Sequence, residues 1–246
     1  MEKKRYAGLD CLRGCVLISM ILYHGTWDLV YLFGVDWDWF RTDWTRIWQQ
    51  SICWTFILLS GFCWHFGRKQ WKRGVTVFVA GMLVSVVTKI FMPEGLIIFG
   101  VLTLLGSCML LMILLDKFLK HWNPSFAVII FFVLFVVTRN VNIGYLGFEG
   151  WNWIALPKTW YANWITTYLG FMEPGFYSTD YFSLIPWLFL FVTGYYLKLL
   201  FERHLLLDKL EKTRCKYLEW MGRHSLIIYM LHQPVVYCVL YLFHIF

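Results

Sequence analysis

Between Leu9 and Tyr31 the chain reads LDCLRGCVLISMILYHGTWDLVY, apolar enough to cross a bilayer yet carrying Asp10, Arg13, His24 and Asp28. Charge inside a span is expensive and marks a pathway or a reaction site. On a helix, the Arg13 to His24 spacing is three turns plus about 20°, so the two share a face, roughly 16 Å apart along the axis. Asp28 lies one turn beyond His24, and Asp10 one turn before Arg13. A neutral imidazole can take a proton from an attacking amine or hydroxyl. A carboxylate one turn away can fix its tautomer and stabilise the imidazolium. The alternative is a packing seam whose polar groups are satisfied by neighbouring helices. Four such groups on one stripe favour function.

The elements that must hold this seam are membrane spans. Of 246 residues, 59% are hydrophobic and only 15% charged, where a soluble domain averages about one quarter. Aromatics make up 21%, including fifteen Trp, which suits interfacial belts. The reading is an all-α, polytopic helix bundle forming a single domain over 1–246. About seven spans are expected: Leu9–Tyr31, Ile47–Phe66, Val75–Phe91, Leu96–Leu115, Trp122–Thr138, Tyr181–Leu200 and Leu226–Phe246. With a cytoplasmic N-terminus, sixteen Lys and Arg fall on the cytoplasmic side, Lys3, Lys4, Arg5 and Arg214 among them, and five on the outer side or outer span ends. That bias sets the orientation. It also removes a nucleic-acid reading of the net charge of +7, because the basic residues sit in short loops between spans. The seven Cys form no CxxC pair, so neither a disulfide framework nor a zinc site is expected, and no metal. The first run has no small-residue cleavage site and is expected to stay as a span.

Further residues carry chemistry. The second span ends at Ser60 and Gly61, small residues that allow close helix approach. Arg68, Lys69, Lys72 and Arg73 follow. They are either an ordinary cytoplasmic basic loop or a cradle for a phosphate-bearing ligand. Asp36, Asp38 and Asp43 lie among Trp residues after the first span. The choice there is an interfacial belt or an acceptor site in which Trp faces stack on sugar rings. Asp180 opens the sixth span, where Pro186 is expected to kink the helix beside Trp187. The last span holds His232, Gln233 and Pro234. The longest outer region is 139–180, and its stretch 145–172 is expected to be a re-entrant or interfacial helix. Glu202–Arg223 is expected to be an amphipathic cytoplasmic helix.

The ten residues between Arg13 and His24 reproduce a spacing that resembles the arginine–histidine motif of the integral-membrane acyltransferase family three. FILLSGFCWHFGRKQWKRG and GRHSLIIYMLHQPVV are similar to that family's second-span end and closing span. LDCLRGCVLISMILYHGTWDL, IIFGVLTLLGS and STDYFSLIPWLFLFVTGYYL, in that order, more closely resemble bacterial relatives of the heparan-α-glucosaminide N-acetyltransferase catalytic domain. Two positions depart from the pattern. Residues 25–46 contain no His, where the eukaryotic glucosaminide enzymes place a catalytic one, and Thr103 stands where relatives often have His.

The resemblance implies a CoA-dependent transmembrane acyltransferase in the cytoplasmic membrane of a bacterium. Acetyl-CoA, or another acyl-CoA, would be the co-substrate. The acceptor would be the amine or hydroxyl of a carbohydrate-type molecule on the outer side. In that reading His24 is the base, with Asp28 and His232 as catalytic partners. Arg13, Ser60, Arg68, Lys69, Lys72 and Arg73 hold coenzyme A, and Asp36, Asp180, Trp187 and Gln233 hold the acceptor. Expected partners are the acceptor, the lipid bilayer and no nucleic acid, with a homodimer left open. The rival readings are a proton-coupled transporter using His24 and Asp28 as a relay, and a non-catalytic membrane protein retaining the fold.

Overall fold

A helix satisfies its own backbone, which is why apolar runs of this length become helices in a bilayer. The computed structural model describes residues 6–212 and 215–245; Lys3, Lys4, Arg5 and Arg214, counted above for topology, lie outside them. The helices are α1 (Ala7–Tyr31), α2 (Asp43–Phe62), α3 (Gln70–Phe91), α4 (Val101–Leu119) and α5 (Pro124–Val137). A hairpin of β1 (Tyr145–Phe148) and β2 (Trp151–Ala155) follows. Then come α6 (Trp164–Leu169), α7 (Leu184–Arg203), α8 (Leu207–Lys212), α9 (Lys216–Arg223) and α10 (Ser225–Ile245). All seven expected runs contain a helix. Among the described residues, α1, α3, α4, α7 and α10 are long and apolar enough to cross a membrane. The start of α2 is polar, with Asp43, Arg46, Gln49 and Gln50. The fourteen residues of α5 reach only about 21 Å.

The chain divides into two compact units, Met1–Leu59 with Phe201–Phe246, and Ser60–Leu200. In the first unit, Val16, Leu17 and Met20 of α1 and Ile52 of α2 form a buried cluster, with Trp48, Phe56, Ile228 and Tyr229 packed on it. The Trp48 indole donates to the Ser19 hydroxyl at 2.8 Å. In the second unit the core is α4 and α7 side chains, including Leu104, Cys108, Met112, Leu190, Phe191, Tyr195 and Tyr196, with Phe135 of α5. Helices α3 and α4 approach through small residues: Gly81 lies against the Thr103 backbone and Gly106 against Phe78.

Two expectations are corrected. The 145–172 stretch is not mainly helical: it holds the antiparallel hairpin and only the short α6. Aromatic and β-branched residues favour the pleated form, and Gly147 takes φ 151° facing the Trp151 carbonyl, where no Cβ fits. The Glu202–Arg223 helix is broken: Leu205 has φ 54°, and α8 and α9 are separate. The kink expected at Pro186 is present: the backbone of Ile185, just before it, is non-helical inside α7, close to the start of the helix.

The fourth span also starts five residues later than expected. Leu96 to Phe99 are held out of the helix by the chain before α7 instead, with Phe99 at φ 56°. The Thr179 N–H donates to the Leu96 carbonyl (3.0 Å) and the Phe182 N–H to the Phe99 carbonyl (2.8 Å). The Ser178 hydroxyl bridges both the N–H and the carbonyl of Ile98, each at 2.9 Å.

Candidate active site

The expected polar seam of α1 meets α10 at its deeper end. The rings of His24 and His232 stand 4.9 Å apart between centroids. The edge of Tyr23 closes on His24 at 5.5 Å. Asp28 is 0% exposed. Its Oδ1 accepts from Gln233 Nε2 at 2.8 Å. Asp28 therefore pairs with Gln233 and not with His24, contrary to the one-turn pairing expected from spacing. His232 contacts the Tyr229 carbonyl through Nδ1. Among the described residues, three buried polar atoms of this cluster have no hydrogen-bond partner: Asp28 Oδ2, His232 Nε2 and Gln233 Oε1. Leaving such an atom unsatisfied costs about 1–3 kcal/mol. Unmet acceptor positions on residues of the α1–α10 contact are what a donor-bearing ligand would satisfy.

The other end of α1 carries the expected Asp10–Arg13 pair, Nη1 to Oδ1 at 3.5 Å, with Asp10 6% exposed. Arg223 of α9 joins it, 4.0 Å from Asp10 and 2.8 Å from Glu219. Close helix contact makes this possible: Gly14 of α1 lies against the Leu218 carbonyl and Gly222 of α9 against that of Asp10. Sequence reasoning missed Arg223. The available signal was its four-residue spacing from Glu219 in an amphipathic segment. Asp36, on the loop after α1, is exposed and pairs with Arg41 at 3.1 Å.

The remaining predicted residues belong to the second unit. Ser60 is half-buried near the end of α2, beside Gly61, which packs directly on the Phe191 carbonyl. Arg68, Lys69 and Lys72 are exposed. Lys72 stands over the Trp71 ring at 5.7 Å, and the Arg73 guanidinium folds back against Gly67. Trp187 is 2% exposed, packed against Phe135 (5.4 Å) and Phe182 (4.9 Å), with the Arg139 guanidinium 4.7 Å from its ring centre. Asp180 accepts the Val101 N–H, at the first residue of α4, at 3.4 Å. Burial pushes its carboxyl up to about 6, and the Val101 bond pulls the other way. A further polar group escaped sequence reasoning: the buried Tyr195 hydroxyl donates to Asp116 at 2.6 Å, with His65 stacked on the Tyr195 ring at 4.3 Å. Among the described residues, no three His, Cys, Asp or Glu side chains gather as a metal site.

Against this geometry stands one family comparison. The family model described as heparan-alpha-glucosaminide N-acetyltransferase, catalytic, matches residues 5–234. The chain belongs to that family. The matched span runs from before Arg13 to just past Gln233, so it encloses every residue of the α1–α10 cluster. An integral membrane protein with transferase chemistry of the acetyltransferase kind is what membership implies. No curated protein and no solved structure matches the chain.

Proposed function

We propose that this family member moves an acetyl group from acetyl-CoA, taken up at the cytoplasmic side, to an amine or hydroxyl of a carbohydrate-type acceptor at the outer side of a bacterial cytoplasmic membrane. The observation that carries the reading is the intramembrane cluster of His24, His232, Asp28 and Gln233. It presents unpartnered acceptor atoms inside a chain of an acetyltransferase family. Aminolysis or alcoholysis of a thioester needs the nucleophile deprotonated as it attacks, and an imidazole of this cluster supplies the base. Direct transfer to the acceptor is the route that such a base serves. Arg13, with guanidinium donors left beyond its contact with Asp10, and the exposed Arg68, Lys69 and Lys72 suit the phosphates of coenzyme A, with Ser60 and Arg73 beside that loop. Asp36, Asp180, Trp187 and Gln233 stand on the acceptor's side of the reading. Asp36 and Gln233 in the first unit offer polar groups, as does Asp180 in the second, where Trp187 offers an aromatic face.

The test is acetyl-CoA binding by calorimetry on detergent-purified protein, followed by thiol release with hexosamine or hexose acceptors. Saturable binding with acceptor-dependent release of coenzyme A is the expected result. Absence of both at millimolar acetyl-CoA overturns the reading. Binding without release to any acceptor overturns the catalytic part of it.

A further inference from the structure

The two imidazoles of the cluster are not equivalent. His232 Nδ1 lies against the backbone carbonyl of Tyr229, one turn back on α10. A carbonyl oxygen only accepts, so Nδ1 must carry the hydrogen, and the neutral ring then keeps its lone pair on Nε2. That Nε2 is buried and has no hydrogen-bond partner. It belongs to the same cluster as two other unpartnered atoms, Asp28 Oδ2 and Gln233 Oε1. His24 is placed differently. Among the described residues it makes ring contacts with Tyr23 and His232 and no hydrogen bond, so nothing fixes which of its nitrogens is protonated.

Resting on the acyl-transfer reading, we infer that His232, through Nε2, is the proton acceptor of the reaction, and that His24 is its neighbour rather than the base. The acceptor heteroatom attacks the thioester carbonyl carbon. The new bond from that heteroatom to carbon forms and the carbon–sulfur bond breaks. The proton leaves the heteroatom for His232 Nε2 and passes from there to the departing sulfur, giving the free thiol of coenzyme A. The Tyr229 carbonyl holds the ring in the tautomer that can do this throughout the cycle. The backbone supplies the orienting bond that sequence spacing assigned to a carboxylate. Asp28 Oδ2 and Gln233 Oε1 are left to accept hydrogen bonds from other donors of the acceptor molecule. Among the described residues, His24 on α1 and Tyr229 on α10 itself stand beside His232, with Tyr23 against His24 and Asp28 bonded to the adjacent Gln233.

The test pairs two variants with one measurement on the wild-type protein. Asn can keep an amide N–H for the Tyr229 carbonyl while removing the lone pair at the Nε2 position. His232→Asn is expected to bind acetyl-CoA with unchanged Kd and to lose about 10²–10⁴-fold in kcat. His24→Asn is expected to lose less than tenfold. If His24→Asn carries the large loss and His232→Asn stays within tenfold of wild type, the inference is overturned while the acyl-transfer reading stands. Wild-type protein that binds acetyl-CoA and transfers it to nothing overturns both together. Histidine-selective 15N NMR on the wild-type protein, assigned by loss of the His232 signals in His232→Asn or in His232→Gln, reads the tautomer directly. Protonation at Nδ1 is expected. Protonation at Nε2 in the neutral ring overturns the inference whatever the variants do.

Discussion

Gln233 donates from Nε2 to Asp28 Oδ1 at 2.8 Å, joining α10 to α1 across 205 positions of sequence. Among the described residues the bond is the only hydrogen bond of a carboxylate that is 0% exposed, and it leaves Oδ2 with no partner there. Removing only the amide strands a buried acid, whereas replacing both partners by apolar groups removes the unmet demand along with the bond. Gln233→Leu should therefore lower the Tm of the detergent-purified protein, and the Asp28→Leu/Gln233→Leu double variant should recover most of the loss. The coupling in the double-mutant cycle should be about 1 kcal/mol, the scale found for hydrogen bonds between membrane helices. The recovered double variant should still fail to transfer, because the acceptor atoms are gone. Additive losses of Tm would show that the two residues do not support each other.

The seam on α1 was legible because helical periodicity projects Asp10, Arg13, His24 and Asp28 onto one face before any contact is known. Periodicity gives a direction and not a partner. The spacing that made Asp28 the natural orienter of His24 is satisfied on the helix, yet the carboxylate turns to Gln233 and the orienting contact for His232 comes from the Tyr229 backbone. A main-chain carbonyl carries no signature in sequence. The hairpin at 145–155 was hidden for another reason. An apolar, Trp-rich stretch between spans scores like an interfacial helix, and the decisive feature is the left-handed and extended backbone at Gly144 and Gly147. The start of α4 was misjudged because Leu96–Phe99 are apolar enough to extend the helix. Their backbone groups are claimed instead by Ser178, Thr179 and Phe182, some eighty residues later.

The basic loop between α2 and α3 makes a prediction about the co-substrate. Arg68 and Lys69 are exposed, whereas Arg73 folds against Gly67 and shapes the turn. Arg68→Ala/Lys69→Ala should therefore raise the Kd for acetyl-CoA about tenfold or more while leaving Tm unchanged. The wild-type affinity should fall with added salt and the variant's less steeply, since exposed charges are screened over about 10 Å at 0.1 M salt. Titration calorimetry at two salt concentrations measures both effects. Equal affinities at low salt would reduce the cluster to a topology signal.

Orientation follows from the distribution of Lys and Arg. Asp38 precedes α2 with its side chain 95% exposed, and Lys69 follows the helix, also exposed. In intact cells, with the exposed native Cys15 and Cys238 replaced, Asp38→Cys should react with a membrane-impermeant maleimide. Lys69→Cys should react only after permeabilisation. The reverse pattern would invert the bundle and remove the basic loop from the compartment that holds acetyl-CoA.

Asp180 ties the loop before α7 to the start of α4, and its protonation should be readable in stability. Burial raises its carboxyl from the ordinary 3.8 to about 6, against the opposing pull of the Val101 N–H. A raised value means that the folded chain binds this proton more tightly than the unfolded chain does. The resulting stabilisation is complete below the unfolded value and is lost as pH rises through the folded one. Tm should therefore fall as pH rises from about 4 to about 6, with the carboxylate charged and poorly solvated above that window. Asp180→Asn keeps an oxygen for the Val101 N–H and has no proton to lose. Its Tm should be flatter across the same window and higher than wild type at neutral pH. Thermal unfolding of both proteins between pH 4 and 7.5 measures the difference. Parallel curves would mean that Asp180 does not change its charge there. If the variant is more stable and also weaker for the acceptor, Asp180 is a charge retained for binding at the expense of stability. If it is more stable with unchanged acceptor affinity, its part is confined to holding Gly100 and Val101 in place.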